Sequence, residues 1–295
     1  MKKRILVLMA TAMAVLSTAC FCSLNGLQQA LSFNIERGSG IVVEETREIT
    51  DVSALEIDGF GVLHFEQGEE PSLVIAAEQE YLDRLETIVV GDRLIIRPKK
   101  GWFTGLIPTK TPQIYLVLPE LSELQLSGAI RASMEELSGN KITIICNGSN
   151  DLEVGSVVSD ELVLKVAGAA NWSIQSLAVS EFNVEISGMS NLQVEDLNAD
   201  LLELVISGMG NATIAGEVNE QNVRIDGSGS YSAGDLRSND ASVKVSGASS
   251  IAVWAVETLS LNCDGAAHVE YYGSPRVSQN NTGLAVIRSL GEKEQ

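Results

Sequence analysis

A glycine recurs at intervals of 18 to 20 residues from about Leu121 to Leu290, and this spacing constrains the fold more than any other feature of the chain. A period near 20 is too short for a repeat of two packed helices. Equivalent positions also recur in the same chain direction, which disfavours antiparallel hairpins. Such a repeat is typical of one turn, or coil, of a β-solenoid. The nine glycines are Gly128, Gly148, Gly168, Gly188, Gly208, Gly227, Gly247, Gly265 and Gly283.

Alternate positions on either side of these glycines are apolar. The residue two places before the glycine is apolar in eight of the nine repeats, and the residue between the apolar columns is mostly polar. This alternation has the period of a strand with one buried face. Each repeat is therefore predicted to be a strand, a glycine corner, a second strand and a turn.

Parallel pairing of equivalent strands would turn the apolar columns into ladders inside a stack. We predict an all-β fold, with a parallel β-solenoid or β-helix of about nine short coils preceded by a smaller β-rich N-terminal part. The predicted division is a signal peptide at 1–19, a tether at 20–45, the N-terminal β-rich part at 46–120, the repeat array at 121–290 and a tail at 291–295.

Two local elements are predicted within the N-terminal part. Residues 87–90 and 94–97 flank Gly91 and Asp92, a pattern that indicates a β-hairpin. Residues 78–85 are predicted to form a helical turn or two.

The N-terminus has the pattern of a bacterial export signal. Residues 1–4 are basic, and residues 5–16 are an apolar stretch too short for an ordinary transmembrane helix. Small residues then precede Cys20, as in a lipoprotein cleavage site, although Ser17 stands where an aliphatic residue is usual. Two outcomes stay open: plain cleavage after Ala19, and cleavage with lipidation of Cys20, which we favour.

The repeat register separates the two cysteines of the array. Cys146 and Cys263 both fall two residues before a glycine, six repeats apart, which corresponds to about 29 Å at roughly 4.8 Å per stacked strand. A disulfide requires Cα atoms within about 7 Å. Both residues are therefore predicted to be free, buried thiols.

The repeat also singles out its corner glycines and a short run of asparagines. A Cβ at the corner would crowd the turn or forbid a positive φ, so the glycines are predicted to be structural. Asn171, Asn191 and Asn211 each stand three residues after a glycine in successive repeats. Stacked amides can hydrogen-bond along such a ladder. Two interpretations stay open: a satisfied turn ladder, which we favour, and a ligand-binding stripe.

The segment at residues 99–108 is apolar and basic in an otherwise acidic protein. Its Trp102, Phe103, Leu106 and Ile107 could dock on a partner or a membrane. The alternative, which we favour, is that the segment folds over an open end of the solenoid and covers its core.

Several short motifs resemble those of a bacterial family, and it is their order along residues 46–290 that carries the resemblance. The motifs lie at residues 55–62, 67–75, 118–129, 187–190, 207–210 and 272–275. The family is that of the "putative auto-transporter adhesin, head GIN" domains. The resemblance implies a β-helix-like, two-part all-β domain on an exported, often envelope-attached protein, with no catalytic residues. Because the sequence stops at Gln295 without a translocator barrel, we do not expect autotransport.

Charge and composition disfavour several classes of function. The formal net charge of −19 makes nucleic acid and anionic membrane surfaces poor partners. His64 and His268 are the only histidines, and neither has partners at the spacing of a metal site or a catalytic triad. No cofactor, metal or catalytic residue is therefore expected.

These patterns predict a non-enzymatic cell-envelope protein with an adhesin-like or scaffold module. Its flat ladders of Ser, Thr, Asn and Gln would contact a surface glycan or a protein partner. Membrane contact is expected only through a lipid anchor, and exposed end coils would favour self-association. The alternatives are a polysaccharide-active parallel β-helix enzyme, disfavoured because the repeats have almost no insertions that could wall a cleft, and a purely structural envelope protein.

Overall fold

The computed structural model describes residues 36–100 and 106–293. This part of the chain is all-β apart from one four-residue helix. Its elements in chain order are β1 (Glu36–Arg37), β2 (Val42–Arg47), β3 (Ala54–Gln67), β4 (Ser72–Glu78), α1 (Gln79–Leu82), β5 (Leu85–Val90), β6 (Arg93–Pro98), β7 (Leu106–Ile107), β8 (Gln113–Leu118), β9 (Glu123–Gly208), β10 (Asn211–Gly227), β11 (Ser230–Cys263), β12 (Ala266–Tyr272), β13 (Arg276–Asn281) and β14 (Val286–Gly291).

Strands from successive repeats pair in parallel at equivalent positions. Gly208 pairs with Gly227, and Gly227 pairs with Gly247. Inside the 86-residue β9 the repeats are equally close, because a Cβ added to Gly148 would lie 2.4 Å from the carbonyl oxygen of Gly128. The corner glycines therefore contact one another through their backbones. Seven of the nine also have a φ between 108° and 147°.

The column of glycines begins earlier than the sequence period indicated. Gly59 in β3 pairs with Gly128, has a φ of 133°, and places its carbonyl oxygen 2.1 Å from a Cβ added to Gly128. Counting from one glycine to the next does not find Gly59, because 69 residues (128 − 59) separate it from Gly128 instead of about 20. β3 is thus stacked on the repeats although it lies in the N-terminal part.

The sheet is mixed, because the N-terminal strands include antiparallel pairs. β3 pairs in parallel with β6 and β8, whereas β4 is antiparallel to both β8 and β2. β5 and β6 form the predicted antiparallel hairpin, and α1 confirms the predicted helical turn. β6 and β8 occupy the edge of β3 that faces away from β9, so the stack is covered at its N-terminal end.

One hydrophobic core runs through the stack from Val52 to Val269. In the first eight repeats the residue two places before each glycine is at most 6% exposed, as the alternation predicted. The last repeat differs: every residue of β13, including Gln279 and Asn281, is exposed. Polar residues thus replace the two apolar columns that precede the glycine, whereas Ile287 of β14 still packs against the core.

The two array cysteines are free and buried, which confirms the prediction from their register. Burial raises the pKa of the Cys146 thiol to about 12 and also raises that of Cys263. Both thiols therefore stay protonated near neutral pH and pack as small apolar side chains.

Candidate functional site

The strands that follow the corner glycines present a flat polar surface, which we call the ladder face. It consists of two outward columns, three and five residues after each glycine, separated by a buried apolar column. The first column contains Arg131, Asp151, Asn171, Asn191, Asn211 and Ser230, and the second contains Ser133, Glu153, Ser173, Gln193, Thr213 and Ser232.

The three asparagines of the first column hydrogen-bond to one another. The Nδ2 of Asn211 donates to the Oδ1 of Asn191 at 3.0 Å, and the Nδ2 of Asn191 donates to the Oδ1 of Asn171 at 2.9 Å. The chain continues in both directions, because Asn171 donates to Asp151 at 2.9 Å and the Ser230 hydroxyl donates to Asn211 at 2.6 Å. Five consecutive side chains are thus joined by four hydrogen bonds with one polarity.

This arrangement leaves part of each amide free for a ligand. An asparagine amide has two N–H donors and two lone pairs on its oxygen, and the ladder uses one of each. The asparagine side chains are exposed, so the remaining donor and lone pair of each face solvent. Neighbouring side chains already fix the orientation of these groups. Binding of a ligand would therefore cost less side-chain entropy than binding to freely rotating asparagines.

The two columns enclose a shallow open groove of about 580 Å³. Polar side chains of both columns line it, and the buried residues Leu152, Trp172 and Leu192 lie between the columns with their side chains in the core. Arg131 and Asp151 form an ion pair at 3.6 Å at the N-terminal end of the groove. The groove offers a row of amide, carboxylate and hydroxyl groups, which suits a polar ligand.

His64 extends the second column towards the N-terminus. In register it lies beside Ser133, whose hydroxyl is 3.3 Å from the Nδ1 of His64, and the Nε2 is 2.9 Å from the Oε1 of Gln113. The imidazole also stacks on the Tyr115 ring at 4.8 Å. Sequence spacing missed this cluster because its members come from β3, β8 and β9. Its third member, Gln113, carries an amide where a catalytic triad would have a carboxylate. The cluster instead links three strands. His268, by contrast, is exposed in the first column and lies 3.5 Å from Glu270.

The apolar segment at residues 99–108, predicted to dock on a partner or to cover the end of the solenoid, is only partly described. Trp102 and Phe103 lie outside the described residues. Leu106 is half-buried and Ile107 is 55% exposed, and together they form β7, which pairs in parallel with β1. The segment thus meets the start of the described chain.

A buried carboxylate holds this region in place. Glu78 accepts hydrogen bonds from the backbone N–H of Gly40 at 2.8 Å and from both the hydroxyl and the N–H of Thr109. These bonds, the Thr109 hydroxyl foremost, hold the pKa of Glu78 below its ordinary value. The carboxylate therefore joins the chain after β1 to the chain after β7.

The remaining points of the sequence analysis concern lipidation, metal binding and membrane crossing. Cys20 lies outside the described residues. Within residues 36–100 and 106–293, no group of three or more His, Cys, Asp or Glu side chains could hold a metal ion. No helix in that part of the chain is long and apolar enough to cross a membrane.

A family model matches most of the chain, and solved structures share its fold. The model of a family described as "Putative auto-transporter adhesin, head GIN domain" matches residues 52–178 and 163–275. Among solved structures, a "putative lipid binding protein" from Parabacteroides distasonis ATCC 8503 is similar with a TM-score of 0.68 and 22% identity, covering 87% of this chain and 100% of that chain. A "putative adhesin" from Parabacteroides merdae ATCC 43184 has a TM-score of 0.68 and 19% identity, covering 87% and 99%. No curated protein sequence matches the chain.

Proposed function

Because the chain belongs to the family of "putative auto-transporter adhesin, head GIN" domains, we propose that it is a non-enzymatic, adhesin-like protein of the cell envelope that binds a surface glycan or protein through its ladder face. The observation that carries this proposal is the unbroken hydrogen-bonded column from Asp151 to Ser230. It presents oriented donors and acceptors at a regular spacing of about 4.8 Å.

The architecture that we propose for this function is a parallel β-solenoid. Residues 121–290 would form about nine coils, and residues 46–120 a smaller β-rich part that covers one end. The parallel register between equivalent glycines supports this division. So do the backbone contacts between Gly128, Gly148, Gly168 and Gly188. Such a stack is rigid, because each repeat is hydrogen-bonded to both of its neighbours.

A rigid ladder suits a repetitive partner better than a small molecule. One amide and one hydroxyl per repeat give weak individual contacts, each with a net value of about 1 kcal/mol. A polymeric or surface-bound partner can engage several repeats at once, and its overall affinity then exceeds that of any single contact. We therefore favour a polysaccharide or a regular protein surface that lies along the stack.

Replacing all three ladder asparagines should weaken binding. We expect the triple variant Asn171→Ala, Asn191→Ala, Asn211→Ala to lose at least about tenfold in affinity for any ligand of the full chain, because it removes three oriented amides. The ligand is first found on an array of glycans and matrix proteins. Affinities for that ligand are then measured for the natural and variant chains.

A second asparagine pair provides the matched control. Asn239 donates to Asn219 at 2.8 Å on another side of the stack, so Asn219→Ala with Asn239→Ala removes similar bonds away from the ladder face. This control should bind as the natural chain does. Equal affinities for the triple variant and the control pair would exclude the ladder face as the binding site. No binding anywhere on the array would favour the alternative of a purely structural envelope protein.

We also propose that the protein is anchored by a lipid on Cys20. The 16 residues from Cys20 to the first described strand can span at most roughly 58 Å when fully extended, so the anchor limits the distance of β1 from the membrane. β7, which carries Leu106 and Ile107, pairs with β1. Leu106 and Ile107 would then lie at the membrane-proximal end.

Removal of the lipidated thiol should release the protein. In a bacterial host that processes lipoproteins, we expect Cys20→Ala to move the full chain from the membrane fraction to the soluble fraction, since the acyl chains are lost. The matched control is Cys22→Ala, which should stay with the membrane. If Cys20→Ala fractionates with the membrane as the natural chain does, the lipid anchor is disproved.

A further inference from the structure

A cluster of two aromatic rings lies on the surface near the C-terminal end of the stack. Trp254 and Tyr272 are register partners in β11 and β12, each seven residues after a corner glycine. The equivalent position in the preceding repeat is Gly234. A Cβ added there would lie only 3.1 Å from the Tyr272 ring, so this glycine leaves room for the ring. Both aromatic side chains are half-buried and thus partly open to solvent.

An ammonium group already occupies this cluster. The Nζ of Lys293 lies 4.9 Å from the centroid of the Tyr272 ring and 5.5 Å from that of Trp254. It also donates to the carbonyl oxygen of Gly234 at 2.7 Å and pairs with the carboxylate of Asp235. Two aromatic faces, a carbonyl and a carboxylate thus surround one cation, which is the chemistry that proteins use to bind ammonium ligands.

The segment that supplies this lysine has few other contacts. At the end of β14 the Gly291 carbonyl accepts from the N–H of Gly273 at 2.9 Å. The Glu292 carboxylate accepts from the Ser274 hydroxyl. The Lys293 side chain remains 27% exposed, and that of Asp235 is 77% exposed. A competing cation could therefore reach the cluster from solvent and displace Lys293 without opening the hydrophobic core.

We propose that Trp254, Tyr272, Asp235 and the Gly234 carbonyl form a binding site for a primary alkylammonium ion, which Lys293 fills until such a ligand displaces it. The carbonyl and the carboxylate favour a primary ammonium, because a quaternary group has no N–H to donate to them. The site uses none of the ladder-face residues, so it is independent of the proposed adhesive function. Its ligand is a free alkylamine or the ammonium headgroup of a lipid.

The test removes the competitor and measures what the empty site binds. Lys293→Gln in the full chain is titrated with n-butylammonium, and the ¹⁵N-labelled indole resonance of Trp254, assigned with Trp254→Leu, reports occupancy. We expect a saturable shift in Lys293→Gln at about tenfold lower concentration than in the natural chain, since Lys293 no longer holds most of the sites closed. Tetramethylammonium should bind more weakly than n-butylammonium.

Two controls separate this site from unspecific cation binding. Asp235→Asn with Lys293→Gln removes the carboxylate and should weaken n-butylammonium binding at least about fivefold. Lys293→Gln with Glu257→Gln removes an acidic residue outside the cluster and should bind as Lys293→Gln does. The proposal fails if Lys293→Gln shows no saturable shift, if the two double variants bind equally, or if tetramethylammonium binds as tightly as n-butylammonium.

Binding to vesicles distinguishes the two possible sources of the ligand, a free amine and a lipid headgroup. Sedimentation of Lys293→Gln with Cys20→Ala, which lacks the proposed lipid anchor, with phosphatidylethanolamine vesicles, but not with phosphatidylcholine vesicles, would assign the ammonium site to a lipid headgroup. Saturable binding of n-butylammonium without vesicle binding would assign it to a free amine.

Discussion

Gly188→Ala should cost the protein roughly 3–5 kcal/mol in free energy of unfolding. Two effects add. The φ of Gly188 is +135°, which strains any residue that has a Cβ, and the new methyl group would lie 2.2 Å from the carbonyl oxygen of Gly168 and 3.0 Å from its nitrogen. Neither repeat can move away, because each is hydrogen-bonded along both edges. The measurement is urea denaturation of the full chain followed by circular dichroism.

Two other glycines separate these effects. Gly91 has a φ of +66° and no heavy atom within 4 Å of an added Cβ, so Gly91→Ala should cost only the strain of roughly 1–2 kcal/mol. Gly139 has no positive φ, and its added Cβ would make an ordinary contact of 3.6 Å with Ile142. Gly139→Ala should therefore stay within about 1 kcal/mol of the natural chain. If Gly188→Ala unfolds at the same urea concentration as Gly139→Ala, the close backbone contact does not limit the stack.

The glycine column also indicates which part of the fold was accessible from the sequence. A regular period places equivalent residues side by side, so the buried columns, the polar last repeat and the separation of Cys146 from Cys263 follow from counting alone. Gly59 belongs to the same column, yet counting cannot find it, because β4 to β8 are inserted between it and Gly128. The antiparallel pairs among the N-terminal strands have no period to reveal them.

Contacts made by residues outside the regular period were likewise beyond the sequence. The asparagine ladder could be foreseen, because its members occupy one column. The approach of Ser133 to His64 depends on the register between β3 and β9, across 69 residues of chain. The position of Lys293 over Trp254 and Tyr272 depends on where β14 pairs and ends, for which the composition of the last residues offers no signal.

A buried polar network inside the core is another arrangement that the sequence does not predict. Tyr231 occupies an apolar column and is fully buried, and its hydroxyl donates to the Oε1 of Gln221 at 2.9 Å. The Nε2 of Gln221 donates to the Ser238 hydroxyl at 2.7 Å, and that hydroxyl donates to the carbonyl oxygen of Trp254 at 2.8 Å. Burial raises the pKa of the Tyr231 phenol, so the hydroxyl keeps the proton that it donates. Each polar group in this series of hydrogen bonds needs its neighbour as a partner.

Tyr231→Phe should therefore lower the free energy of unfolding by about 1–3 kcal/mol, although it removes a single oxygen atom. The loss comes from the Oε1 of Gln221, which stays buried without a donor. Urea denaturation measures it. Tyr115→Phe is the matched control, because the Tyr115 side chain is 45% exposed, and its change should be within about 0.5 kcal/mol.

The double variant decides whether the network or the tyrosine oxygen alone is responsible. Gln221→Leu removes the orphaned acceptor with a side chain of similar length, so Tyr231→Phe with Gln221→Leu should be more stable than the sum of the two single losses predicts, by about 0.5–3 kcal/mol. A simple sum of the two losses would mean that the buried groups act independently. In that case the hydrogen bonds from Tyr231 to Trp254 would not stabilise this part of the stack as a unit.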